Sequence, residues 1–192
     1  MARQPKILAL AGSLRRDSFN KKLVRIAAES ARKAGAEVTF VDLRDYPLPL
    51  FDEDLEKQGT PSQATALKKL MIESDGFLIA SPEYNSSISG ALKNAIDWAS
   101  RPAPGETPLV AFKGKVAALM AASLGALGGL RGLVTVRSIL GNIGVIVLPD
   151  QVAVPKASEA FDSDGKLKDP KQQTQIEQLG ATLVSLAGRI RP

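Results

Sequence analysis

The chain has 192 residues, 44% of them hydrophobic, and 25 Lys and Arg against 20 Asp and Glu, for a formal net charge of +5. That length suits one domain spanning residues 1–192, and the apolar content is too high for a disordered chain. The sequence contains neither His nor Cys, which excludes Ser-His-Asp and Cys-His nucleophilic machinery, His general bases, disulfides and the usual Zn or Fe ligand sets. Carboxylate, Lys, Tyr, Ser or an imported organic cofactor remain to carry chemistry.

The N-terminal segment places Arg3 and Lys6 ahead of a short apolar run, a faint imitation of a secretory leader. Arg15 and Arg16 stand where a small-residue cleavage site belongs, so the run reads as a first strand and the location as cytoplasmic. The longest uncharged apolar stretch, residues 116–130, is shorter than the roughly 20 residues a membrane span requires. Basic residues are scattered, which argues against a nucleic-acid partner.

In chain order, Lys6–Ala11 (KILALA) reads as a parallel strand buried on both faces. Residues 20–34 carry Leu23, Ala27 and Ala31 at helical spacing, with Gly35 as the terminating glycine. Glu37–Asp42 is β-branched and strand-like. Residues 43–61, with Pro47, Pro49 and Pro61, form a long connection of the kind that serves docking or function. Residues 62–74 predict a helix, 76–81 a strand and 89–100 a helix. Residues 101–114 are Pro- and Gly-rich loop. A strand follows at Val116–Ala122, a helix at 128–140 and a strand at 145–148. Residues 150–169 read as mostly irregular. A closing helix at 170–189 has Ile176, Leu179, Leu183 and Leu186 as its buried stripe.

Five strands separated by helices predict an α/β fold: a doubly wound, five-stranded parallel sheet in the order 2-1-3-4-5 with helices on both faces. In such a sheet ligands bind beyond the carboxyl ends of the strands, where the strand order reverses. That point lies between the first and third strands, which end at Ala11 and Ser81. Two polar segments stand there, GSLRRDSFN at 12–20 and SPEYNSSISG at 81–90.

The first segment suits a phosphomonoester. Ser13 and Ser18 offer hydroxyls, Asn20 an amide, Arg15 a cationic fork, and the following helix its free N–H groups. The competing reading is that Ser18 or Asn20 caps the helix while Arg15 and Arg16 lie in solvent. In the second, Pro82 stiffens the turn, Tyr84 supplies a flat face, and the N–H groups of Tyr84, Asn85 and Ser86 could reach the heteroatoms of a ring. Glu83 could instead satisfy loop amides. The alternative is an ordinary turn with Tyr84 packed on its neighbour. A third segment, SLGALGGLRG at 123–132, would let backbone approach a ligand closely.

Together GSLRRDSFN, SPEYNSSISGALKNAIDWASR and SLGALGGLRG resemble the NADPH-dependent FMN reductase family, which includes bacterial quinone, azo-dye and chromate reductases. The resemblance runs from about residue 6 to 149 and implies a flavodoxin-like fold. It implies that Ser13, Arg15, Ser18 and Asn20 hold the FMN phosphate. Pro82, Glu83, Tyr84 and Asn85, with the Ser86 amide, would line the isoalloxazine and ribityl region, and Ser123 and Gly125 would approach the ring system. Ser89 departs from the family's usual Pro, which relaxes the loop but leaves a residue able to cap the next helix.

The expected activity is ping-pong hydride transfer from NADPH or NADH through FMN to a quinone, azo, chromate or flavin acceptor, with no catalytic side chain required. The resemblance also implies a homodimer or homotetramer, with residues 43–61 and 128–140 as candidate contact surfaces. A flavodoxin-type electron carrier and a nucleotide-binding regulator are the competing readings. The Arg-containing loop and positive charge argue against the carrier.

Overall fold

The computed structural model describes residues 3–190. Its centre is a parallel sheet of β1 (Lys6–Ala11), β2 (Glu37–Asp42), β3 (Gly76–Ala80), β6 (Val116–Ala122) and β7 (Ile146–Val154), in the order β2-β1-β3-β6-β7. Counted within the sheet this is the expected 2-1-3-4-5, and every pairing is parallel. Strands β3 and β6 are buried along their whole length, as continuous apolar runs in a two-sided parallel sheet should be.

Helices cover both faces. On one, α1 (Phe19–Lys33) and α7 (Pro170–Ile190) pack through Leu23, Ala27, Ala31, Ile176, Leu179 and Leu183. Gly180 makes this approach possible: a Cβ there would stand 2.3 Å from the Ala27 carbonyl oxygen. On the other face lie α3 (Ser62–Glu73), α4 (Gly90–Ser100) and α5 (Leu130–Asn142), with Leu67, Leu92, Ile96, Leu133 and Leu140 in the core. Gly35 follows the C-cap of α1 with φ of 94°, the left-handed conformation that glycine adopts without penalty.

Four expectations change. The connection at 43–61 is structured: a 3-10 turn at Leu43–Asp45, then α2 (Glu53–Gln58). It is pinned to α4, because Asn94 Nδ2 and Trp98 Nε1 both donate to the Pro49 carbonyl at 2.8 Å. The segment after Pro82 is a hairpin of β4 (Glu83–Tyr84) and β5 (Ser87–Ile88), too short to show alternation in sequence. Helix α5 begins at Leu130, two residues late, because Gly128 and Gly129 hold φ of 63° and 95°. Strand β7 runs on to Val154 through Pro149. Proline is tolerated there because β7 is an edge strand and its register against β6 shifts between Ala117 and Leu119. The stretch after β7, expected to be mostly irregular, holds one short helix, α6 (Ala157–Ala160).

No helix among the described residues is long and apolar enough to cross a membrane, and they hold no cluster of three or more Asp or Glu able to bind a metal.

Candidate functional site

Strands β1, β3 and β6 are adjacent and parallel, so the segments that leave their carboxyl ends must meet. They enclose a cavity of about 350 Å3 lined by Ser13, Arg15, Ser18, Phe19, Asn20, Pro82, Glu83, Tyr84, Ala122, Ser123, Leu124 and Gly125. Nine of the eleven residues expected from the sequence are in that lining. Asn85 and Ser86 are not. They form the two-residue turn of the β4–β5 hairpin, with φ of 52° and 64°, the paired positive values that a type I′ turn demands. Phe19, Ala122 and Leu124 were not expected, though Phe19 follows directly on Ser18 and its signal was adjacency alone. Two larger grooves, of about 490 and 570 Å3, lie on other surfaces.

The cavity's polar groups divide into those already engaged and those left open. Ser13 and Ser18 are buried. Ser13 Oγ accepts only a long bond from the Arg15 N–H, at 3.3 Å. Ser18 occupies the N-cap of α1 with extended backbone, yet its side chain makes no capping bond. The first turn of α1 therefore presents amides with neither an intrahelical nor a side-chain partner, and it holds no acidic residue. That end of a helix attracts negative charge. Arg15 lies nearby with its guanidinium 4.8 Å from the Phe19 ring centre, its Nε donating to the Asp17 carbonyl at 3.0 Å.

Asn20 and Glu83 are engaged elsewhere. Asn20 is clasped to the end of β6: its Nδ2 donates to the Ala122 carbonyl, and its Oδ1 accepts from the Ala122 N–H, both at 2.9 Å. One amide hydrogen is left over for the cavity. Glu83 turns its carboxylate toward α5, accepting from the Gly132 N–H at 3.0 Å and from Arg131 Nε at 3.1 Å. It satisfies a backbone amide, the alternative open at the level of sequence, while remaining part of the cavity lining. Ser89 caps α4 by accepting from the Leu92 N–H at 3.1 Å, as its position suggested.

The Gly-rich segment is held by its own backbone. The Ser123 N–H donates to Val154 at 3.1 Å, and the Gly125 carbonyl accepts from Gly128 at 3.3 Å and Lys156 at 3.4 Å. A Cβ on Gly128 would lie within 2.8 Å of the backbone at Val154, Ala153 and Pro155. Tyr84 and Leu124 of the lining are exposed, and so are Leu127, Leu130 and Val134, which follow in the Gly-rich segment and α5.

A family model described as NADPH-dependent FMN reductase matches residues 5–159. The chain is 39% identical to an NAD(P)H:quinone oxidoreductase of Solanum tuberosum, over 100% of this chain and 98% of that one. It is 35% identical to an NAD(P)H-dependent FMN reductase of Pseudomonas aeruginosa, over 97% of each. Among solved structures, FerB of Paracoccus denitrificans, a flavoenzyme NAD(P)H:(acceptor) oxidoreductase, superposes with a TM-score of 0.81 at 30% identity, covering 96% of this chain and 98% of that one.

Proposed function

Because the chain belongs to the NADPH-dependent FMN reductase family, whose members are oxidoreductases using FMN and NAD(P)H, we propose that the cavity at the ends of β1, β3 and β6 is its flavin site. The observation that carries this reading is the first turn of α1: a buried Ser18 hydroxyl and a set of amides, all without partners among the described residues, beside an arginine. A phosphomonoester dianion satisfies every one of these donors at once.

Ser13, Ser18, Arg15, the α1 amides and the spare Asn20 hydrogen hold the phosphate. Pro82 and the β4–β5 hairpin, ending in the Asn85–Ser86 turn, form the ledge for the ring, with Tyr84, Ser123 and Gly125 beside it. Bound there, FMN would supply reversible two-electron chemistry between NADPH or NADH and an acceptor. The side chains contribute binding and orientation, in keeping with a chain that has no His or Cys.

Donor and acceptor share one opening and alternate in it. Parallel double-reciprocal plots at several acceptor concentrations test this, and intersecting lines would refute it. A quinone is the acceptor that the relatives' names support, and the exposed Leu124, Leu127 and Tyr84 suit a flat apolar molecule. The same apolar surface, continued by Leu130 and Val134 on α5, supports a homodimer or homotetramer. Residues 1–192 act as one cytoplasmic domain. The decisive experiment is an absorption spectrum of purified protein before and after NADPH under argon. Flavin bands that bleach, and return on adding a quinone, are the expected result; a protein that stays colourless in excess FMN overturns the reading.

A further inference from the structure

Resting on that flavin reading, we propose that Ser89 is a positioning residue for the phosphate end of the site, acting through the Gly12 carbonyl. Ser89 lies outside the cavity lining, and 77 residues separate it from Gly12. The residue is 3% exposed, and its hydroxyl performs two tasks. The oxygen accepts from the Leu92 N–H, capping α4, while the single proton goes to the Gly12 carbonyl at 2.5 Å.

Gly12 is the hinge between β1 and the phosphate segment. Its N–H is fixed to the Ala80 carbonyl at 2.9 Å, so with Ser89 on its carbonyl both backbone polar groups are held. A Cβ at Gly12 would stand 2.8 Å from Leu92 Cβ and 3.2 Å from Ser89 Oγ. This close fit brings the carbonyl within reach of the hydroxyl. The next residue is Ser13, and Arg15 and Ser18 follow within one short loop. Fixing the Gly12 peptide therefore sets the direction in which the three phosphate donors leave the sheet.

The hairpin is anchored separately, by its own ladder and by Glu83 on the α5 amide. Losing the Ser89 hydroxyl should therefore loosen the phosphate end and leave the ring end in place. A proline at 89 would suit the backbone, since φ is −70°, but it has no proton for Gly12. The hydroxyl replaces the stiffness of a proline ring with a tie between the two segments.

The test compares FMN with riboflavin, which carries the same ring and ribityl chain without the phosphate. Ser89→Ala, titrated by flavin fluorescence, should raise the Kd for FMN roughly three- to tenfold, the cost of ordering a loosened segment on binding. The riboflavin Kd should change less than twofold, and Ser89→Thr should restore FMN binding. Circular dichroism of flavin-free protein verifies the fold. Should the alanine variant not fold, Ser89→Cys, a weak donor of similar size, is read in the same way and should show a smaller loss in the same direction. Unchanged FMN affinity, or parallel losses for FMN and riboflavin, overturns the proposal. Wild-type protein that binds no FMN removes the flavin reading itself.

Discussion

Glu83 belongs to the ring-side segment, yet its carboxylate serves α5, and that separation has a measurable consequence. Oε2 accepts from Gly132 N–H at 3.0 Å and Oε1 from Arg131 Nε at 3.1 Å, with the Glu83 side chain 9% exposed and Arg131 59% exposed. Gly132 is the third residue of α5, so its amide has no intrahelical acceptor. Hydrogen bonds to a charged group contribute about 1.5–3 kcal/mol. The ion pair with a mostly exposed arginine adds between about 0 and 1 kcal/mol. Glu83→Ala should therefore destabilise the flavin-free protein by about 2–3 kcal/mol, a fall in Tm of roughly 4–12 °C for a chain of this size. Glu83→Gln keeps an acceptor for Gly132 and should lose about 1 kcal/mol, while Arg131→Gln should lose less than that. Thermal unfolding followed by circular dichroism measures all three. An alanine variant within about 0.5 kcal/mol of wild type, below the cost of leaving a buried amide unpaired, refutes the assignment. So does an Arg131→Gln variant as damaged as Glu83→Ala, because the exposed charge would then outweigh the amide.

Arg15→Ala should raise the Kd for FMN by about ten- to a hundredfold at low salt, less at high salt because the guanidinium is exposed, and leave riboflavin nearly unchanged; equal FMN affinity in a fluorescence titration removes the phosphate role. Gly180→Ala gains about 1 kcal/mol of helix propensity, but its Cβ meets the Ala27 carbonyl at 2.3 Å, so urea denaturation should show a net loss of about 1–3 kcal/mol as α7 is pushed from α1. Burial lowers the Lys115 amine from its ordinary 10.5 to about 8; its Nζ donates to the Ile72 and Ser74 carbonyls. Between those values the unfolded chain binds the extra proton, so this group's contribution to stability rises with pH from about 8 to 10.5. Urea midpoints at several pH values should show wild type gaining on Lys115→Met across that window, and parallel curves would contradict it.

The sheet was legible because its signal is redundant. KILALA, GFLIA and VAALMAA are buried on both faces, so nearly every residue is apolar, and the helices between them repeat their own period. Boundaries failed where a conformation is decided by neighbours. Gly128 and Gly129 look like helix in an apolar window, but their positive φ follows from close approach to β7 and β6. Pro149 looks like the end of a strand, and only its place at the sheet edge lets β7 continue. In the site, the polar segments after the first and third strands, together with the family resemblance, pointed to nine of the twelve residues that line the cavity. Spacing could not tell that Asn85 and Ser86 turn a hairpin, nor that Asn20 and Glu83 are held by peptide groups 102 and 49 positions away.

Those distant ties explain how the segments beyond a parallel sheet are held around the site. The segments leaving β1, β3 and β6 share no strand ladder beyond the sheet edge, so each needs another means of being fixed. Asn20 joins the first segment to the end of β6, Ser89 joins it to α4, and Glu83 joins the hairpin to α5. Each tie runs from a side chain to a backbone group. The hydroxyl of Ser18 and the amides of the first turn of α1 are consequently spared from structural duty. Positioning and binding fall to different residues except at Asn20, which serves both, so variants of Ser89 and Glu83 should change affinity through geometry and variants of the open donors should change it through lost contacts. The riboflavin comparison separates the phosphate end from the ring end in both sets.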